Sequence, residues 1–300
     1  MNTPKIPLEV TQLSVIWQAL GERLPSEFSQ KLLEGALRVA GSDNPIRGNL
    51  FAAAFRELIS HSLRDLSPDK DIKACKWFKP ETCDARPTRR QRMKYAVQGG
   101  ISDSYLSETL GLEFNDWFKE IVVAYDELSK STHLQPDTIL SNEAEVMGLA
   151  IRSAEAMHRL LDAIGSTRKG ILKAVEEQLN KEAIDAILAE TVLTIDNIAP
   201  HHSIDEIWAD DIRVSKIDSE HVWYRVAGTI EAELQWGSSS DFRKGDGAAA
   251  NHSFPFECDM RASVDSHTEL LLDEVDLRVG HGNWASDADE DFEEVTPKNN

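Results

Sequence analysis

The sequence predicts an α+β fold: an N-terminal all-α helical bundle followed by a C-terminal antiparallel β-domain. Three observations carry that expectation. Apolar residues recur three and four positions apart from Leu8 to about Ile195, the period of a helix with one buried face. Segments rich in Gly, Pro, Ser and Asp divide that stretch into helix-sized pieces. After "IAPHH" the pattern changes to alternation, the period of a half-buried strand.

The helical period is clear in Leu13, Ile16, Trp17 and Leu20, and again in Met147, Ile151, Ala154, Met157 and Leu161. Breaks are expected at "LPSE", "GSDNP", "SPDKD", "FKPETCDARP", "QGGISDS", "HLQPD" and "GSTRKG", leaving about seven or eight helices. In "HVWYRVAGTIEAELQW", Val222, Tyr224 and Val226 fall on one side and Trp223 and Arg225 on the other, and Ile230, Ala232 and Leu234 continue the pattern. Shorter runs follow the same rule in "IRVSKI", "FPFECDMRASV" and "ELLLDEVDLRV", which predicts a sheet of about four to six strands with one solvated face. Residues 1–195 are therefore read as the helical domain, 196–282 as the β-domain, and 283–300 as an acidic disordered tail with six carboxylates between Asp287 and Glu294.

Composition excludes several classes. The chain has 300 residues, 41% hydrophobic and 28% charged, so it can bury a large core without disulfides or metals. Nowhere is there an apolar run of membrane-spanning length or an N-terminal secretion signal, and a cytoplasmic location without membrane contact is expected. Cys75, Cys83 and Cys258 are odd in number and form no C-x-x-C pair, so they read as reduced core residues. The net charge of −20 argues against non-specific coating of nucleic acid, which draws its affinity from many neutralised phosphates. The familiar nucleotide-binding, hydrolase and zinc-protease signatures are absent. The loop "GSSSDFRKGDGAAANHSFPF" holds Asp241 and Asp246 but lacks the spacing of a calcium loop. It is read as a strand connection, and no metal or cofactor is expected.

Four places carry candidate chemistry. In "FRELISHSLRDL", Arg56 precedes His61 by five positions. Histidine moves protons near neutrality, and arginine stabilises charge on a phosphorane. On one straight helix the two lie about 140° apart, so they share a phosphate only across a kink or a two-fold interface. The pair also reads as a solvated face, with His61 between Glu57 and Asp65 at i, i+4 spacing. Arg152 and His158 in "RSAEAMH" repeat the pattern. His133 ends a helix in "YDELSKSTHLQPDT"; a helix C-terminus favours a cation, which suits a general acid, and Ser129, Lys130 and Thr132 supply donors nearby. The same position suits a plain capping histidine. Finally, "DARPTRRQRMKYAV" gathers Arg86, Arg89, Arg90, Arg92 and Lys94 in an acidic chain. These cations suit phosphates, with Trp77, Phe78 and Tyr95 to stack bases, or they pair with the surplus carboxylates.

The blocks "KWFKPE", "PTRRQRMKYAVQGG", "LSKSTHLQP" and "AELQWGSSSDFRKGDG" followed by "SFPF" resemble the bacterial family of predicted pPIWI-associating nucleases. The helical half also looks like HEPN domains, whose motif is an Arg, usually followed by a polar residue, with a His within two helical turns. Arg56, Glu57 and His61 fit that pattern. His133 fits the late-helix position of the motif, although Leu128 stands five residues before it. The resemblance implies a nuclease of a prokaryotic antiviral defence system, active as a homodimer beside a defence partner protein, that cleaves RNA rather than DNA by metal-independent Arg/His acid–base chemistry. Arg56, His61 and His133 are its implied catalytic residues, and Arg86, Arg89, Arg90, Arg92 and Lys94 its nucleic-acid contacts. Two other readings remain at this point. One is a non-catalytic sensor or adaptor that dimerises through its helices and binds a protein or nucleic-acid partner through its β-domain. The other is an acidic, antitoxin-like mimic of nucleic acid.

Overall fold

The computed structural model describes residues 17–195, 201–237, 239–244, 248–267, 269–271 and 275–280. The acidic tail, Leu8 to Ile16 and Asp246 lie outside them. A helical stretch over 17–23 (α1) is followed by α2 (Glu27–Ala40), α3 (Arg47–Leu66), α4 (Asp69–Ala74), α5 (Arg89–Gln98), a π-helical turn (Tyr105–Thr109), α6 (Asn115–Ser131) and α7 (Glu143–Ile195). Then come β1 (His201–Ile217), β2 (His221–Trp236), the short α8 (Ser239–Lys244), β3 (Ala248–Ser263) and β4 (Asp276–Val279). Among the described residues no helix is long and apolar enough to cross a membrane. The chain forms two compact units. The first runs to Ile171 and includes Ile217–His221; the second comprises Leu172–Lys216 and the chain from Val222 on.

In the first unit α3 is the central helix, packing against α2, α5 and α6. Its Phe51, Ala52, Phe55, Leu58, Ile59, Ser62 and Leu63 are buried, the three-and-four spacing that turns one stripe of a helix inward. Trp17 of α1 meets the rings of Phe51 and Phe55 edge-on at 6.4 and 5.9 Å, contacts worth about 0.5–1.5 kcal/mol each beyond the area they bury. The turn residues act as the sequence suggests: Ser26 caps α2 by accepting the Ser29 N–H at 3.3 Å, and Pro136 lies in the loop that separates α6 from α7.

One expected break is missing. α7 runs unbroken for 53 residues through "GSTRKG". Glycine costs a helix about 1 kcal/mol relative to alanine, whereas burying a Leu or Ile side chain gains roughly 1.5–3 kcal/mol. Leu160, Leu161, Ile164, Ile171 and Val175 flank the glycines and are all buried. Gly170 has a packing reason as well, since a Cβ there would lie 3.2 Å from Leu110 Cδ1.

The second unit holds a four-stranded antiparallel sheet in the order β1-β2-β3-β4. Alternation puts Val222, Tyr224, Val226, Ile230, Ala232 and Leu234 of β2, and Phe254, Phe256, Cys258, Met260 and Ala262 of β3, into the core. β3 and β4 pair with Phe256 opposite Val279 and Glu257 opposite Arg278. The stretch 237–256, expected as a strand connection, is only partly one: it contains α8 and the start of β3. Of the three thiols, Cys75 and Cys258 are buried but Cys83 is exposed, because it sits in the irregular segment between α4 and α5, where little packs.

Candidate functional site

α5 begins with a capping box. The Thr88 hydroxyl accepts the Gln91 N–H at 3.3 Å and Gln91 Oε1 accepts the Thr88 N–H at 2.9 Å, which fixes the helix start although the helix has no clean apolar stripe. Gly99 ends it with φ +56° and ψ −129°, a conformation open to few residues besides glycine. The Gly99 carbonyl accepts the Trp77 Nε1–H at 2.7 Å, and the next residue, Gly100, donates its N–H to Asp218 O at 2.7 Å. Beneath lie Ile72, Cys75 and Tyr95, with Trp77 and Phe78 packed on them. Burial, with the Asp71 carboxylate adding to it, pushes the Cys75 thiol up to about 12 and raises Tyr95 as well. Tyr95 is thus core and Phe78 packs against it, so of the three aromatics expected to stack bases Trp77 is the one that lines a cavity.

That cavity, of about 440 Å³, lies between α5, the segment of Trp77 to Glu81, the π-helical turn and the start of α6. The basic cluster radiates around α5 rather than forming one face. Arg90 and Lys94, at i, i+4 spacing, line the cavity. Arg90 donates to Asn115 Oδ1 at 2.8 Å. Lys94 lies 2.7 Å from Asp103 Oδ2 and 4.5 Å from the centre of the Trp77 ring. Arg89 turns to α6, 3.6 Å over the Tyr125 ring and 3.7 Å from Asp126. Arg92 turns the other way, to Ser67 O at 2.9 Å and Asp69 at 2.5 Å, and Arg86 pairs with Asp84 at 3.0 Å. Each cation of the cluster therefore has a protein partner.

Asp103 is the carboxylate that organises the cavity. Burial alone would raise its pKa, but hydrogen bonds from Lys94 and Gln98, with the charges of Lys94 and Arg90, outweigh burial and hold it below the ordinary value. Gln98 Nε2 spans Asp103 Oδ1 at 2.9 Å and Ile101 O at 2.6 Å, and its side chain is buried. Gln98, Asp103 and Phe114 carried no signal of their own in the sequence. Gln98 stands one turn after Lys94 on α5, whereas Asp103 and Phe114 reach the cavity from the chain after Gly99.

The second assembly joins α3 to the end of α6. Arg56 donates from Nη1 to Thr132 Oγ1 at 3.3 Å and from Nη2 to Glu57 at 3.0 Å, which leaves N–H donors of the guanidinium for another anion. His133, exposed, is the next residue after Thr132. The loop bearing it is fixed by Asn49 of α3, a buried side chain that sequence reading overlooked. Asn49 Nδ2 donates to Ser131 O at 2.7 Å and Thr138 O at 2.8 Å, and its Oδ1 accepts the Leu140 N–H at 3.0 Å. A polar asparagine within a helix's buried stripe was the available clue. His61 lies elsewhere, with its ring edge-on to Phe28 at 4.8 Å. Arg152 pairs with Glu127, and His158 Nδ1 lies 3.4 Å from Arg23. Ser60 and Tyr125 link the two assemblies: Ser60 donates to Arg56 O at 2.9 Å and lies 3.3 Å from Tyr125 Oη, whose ring Arg89 covers.

Two family models, both described as predicted pPIWI-associating nuclease, match residues 21–157 and 164–285. The chain belongs to the predicted pPIWI-associating nucleases. In this family member the first match takes in α5, the cavity, Arg56 and His133, and the second takes in α8 and all four strands. No curated protein and no solved structure matches the chain.

Proposed function

We propose that this pPIWI-associating nuclease serves prokaryotic antiviral defence and cleaves RNA by acid–base chemistry, with Arg56 and His133 as its catalytic residues. The observation that supports the pairing is the Arg56 Nη1 to Thr132 Oγ1 bond of 3.3 Å, which holds an arginine of α3 beside the residue preceding the exposed histidine. The 2′-oxygen attacks the adjacent phosphorus while its proton passes to the imidazole. The P–O5′ bond breaks, the imidazolium so formed gives its proton to the leaving oxygen, and the guanidinium stabilises the equatorial oxygens between the two events. The products are a 2′,3′-cyclic phosphate and a 5′-hydroxyl. His61 lies on the same helix as Arg56, about 140° around its axis, and joins this chemistry only in a second copy.

Single-stranded RNA and DNA incubated with the full chain, with and without EDTA, test the reading. EDTA-resistant RNA cleavage is expected, with cyclic-phosphate ends seen by mass spectrometry. His133→Ala should lower the rate by roughly 10² to 10⁴-fold, and Arg56→Ala by a comparable factor, while His61→Ala changes it little. Cleavage that survives His133→Ala and Arg56→Ala sinks the assignment. The second reading, a non-catalytic adaptor, is favoured by one observation, the pairing of every cation of the basic cluster within the protein. It predicts no cleavage of either nucleic acid by the wild type.

A further inference from the structure

The cavity beside α5 is not used by the Arg56 and His133 chemistry, and it combines apolar walls with charge. We infer that it binds one nucleotide, the base within the cleft and the phosphate at its rim. The inference rests on the nucleic-acid reading above and names a recognition site for it.

The volume, about 440 Å³, falls in the range of roughly 300–1,000 Å³ typical of small-ligand pockets. Its walls are Trp77, Leu106, Phe114 and Phe118, of which Leu106, Phe114 and Phe118 are almost wholly buried. They supply the apolar part of a mixed lining, against which a flat heterocycle can lie. The charged groups lining it are Lys79, Arg90, Lys94, Glu81, Asp103 and Glu113. Lys94 and Asp103 pair at 2.7 Å, and Glu81 accepts the Thr88 hydroxyl at 3.3 Å. Arg90 donates to a neutral partner, Asn115, while its charge also acts on Asp103, and it stands in the first turn of α5. A helix start already carries positive potential, and Arg90 there, with Lys79, supplies the cations of a rim that Glu81 and Glu113 also line. Asp103 supplies the complementary feature: its side chain is 70% exposed, and its carboxylate oxygens, each holding one bond to Lys94 or Gln98, have lone pairs left to accept N–H groups of a base. A phosphate contact together with a base-edge acceptor at the mouth of the cleft describes a nucleotide better than a bare anion or a hydrocarbon.

The same chemistry is offered by a free 5′-mononucleotide and by one unstacked nucleotide of a single strand. Calorimetric titration of the full chain with AMP, GMP, CMP, UMP and inorganic phosphate, followed by competition with a short single-stranded RNA, separates them. We expect one site per chain, a nucleotide bound more tightly than phosphate, and a loss of at least about tenfold in Arg90→Ala and in Asp103→Asn. Both variants are checked for native circular dichroism. Displacement of the mononucleotide by the oligonucleotide assigns the site to a strand, and its persistence assigns the site to a free nucleotide. The inference is overturned if no nucleotide binds, if phosphate binds as tightly as every nucleotide, or if both folded variants bind as the wild type does. His133→Ala keeps the two claims apart. Nucleotide binding by a chain whose cleavage ignores His133→Ala upholds the cleft and sinks the catalytic pair, and the opposite result sinks the cleft alone.

Discussion

On α5 the cations come from one short helix, and their partners come from α4, α6 and the loop after α5. On the sheet the arrangement is reversed. Arg225 of β2 grips Asp259 of β3 through Nε and Nη2 at 2.6 and 2.8 Å, and Arg278 of β4 reaches the same carboxylate at 2.5 Å and Glu257 at 3.3 Å. There each charge meets its partner on a neighbouring strand, which is how a pleated surface holds register. Guanidiniums already gripped by carboxylates across strands have little left to offer a ligand. The helical region instead leaves a concavity in which Arg90 donates to the neutral Asn115 and Asp103 has only part of its lone pairs in use. The difference teaches that a charge cluster becomes a candidate site through shape and incomplete satisfaction, and not through its number of arginines.

The strongest way to break that comparison is at Gly99, which closes α5 and holds Trp77 through its carbonyl. Its φ of +56° disfavours a side chain, and a Cβ there would meet Ile217 Cγ2 at 2.6 Å and Asp218 O at 2.7 Å. Gly99→Ala should cost roughly 2–4 kcal/mol, from backbone strain and from overpacking. The loss should fall mainly on the first unit, to which Ile217–His221 also belong. Cys75, whose thiol lies 3.6 Å from Gly99 O, reports it: urea-dependent alkylation of Cys75 should move to lower denaturant while that of Cys258, in the sheet, stays in place. Equal shifts at both thiols would show that the cleft and the sheet do not open separately.

How much of this was legible in the sequence follows from the range of each interaction. The helix start at Ser26 is a local device within "LPSE", and could be read directly. Alternation in β2 was equally plain because Val222, Tyr224 and Val226 declare a buried face without reference to any partner. The unbroken α7 was not legible, because the glycines of "GSTRKG" are offset by Leu110 and by flanking core residues whose positions only the fold supplies. The site divides in the same way. The density of cations near Arg90 was visible, but their directions were set by Asp69, Asn115 and Asp126, and the contact of Arg56 with Thr132 spans 76 positions. Sequence spacing ties Arg56 to His61 because that pair is local, whereas tertiary packing ties it to the end of α6.

A smaller perturbation addresses the sheet. Tyr224 is fully buried and its hydroxyl donates to His267 O at 2.7 Å. Tyr224→Phe removes that donor and keeps the ring, so the second unit should lose about 1 kcal/mol, read as a lower urea midpoint for Cys258 alkylation. Nucleotide binding and RNA cleavage should be unchanged. If either falls along with the Cys258 midpoint, the sheet contributes to the site and the contrast between the two regions collapses.

The smallest effect is electrostatic and depends on pH. The hydrogen bond from Arg225 is the main reason that the Asp259 carboxyl lies below its ordinary 3.8; burial opposes the shift, and the charges of Arg225 and Arg278 reinforce it. A carboxyl whose folded pKa is depressed binds its proton more readily in the unfolded chain. Its stabilisation is therefore complete above about pH 4 and disappears as the pH falls through the folded-state value. Asp259→Asn removes that dependence, so its urea midpoint should sit below the wild type's at neutral pH and converge on it in acid. Asp103→Asn in the cleft has the same sign by a different route, since burial there works against the ionised form and Lys94 and Gln98 overcome it. Its side chain is far more exposed than that of Asp259, so solvent screens it and its acid limb should be shallower. A steeper limb for Asp103→Asn than for Asp259→Asn would mean that the cleft carboxylate, and not the one on the sheet, is the group the fold depends on.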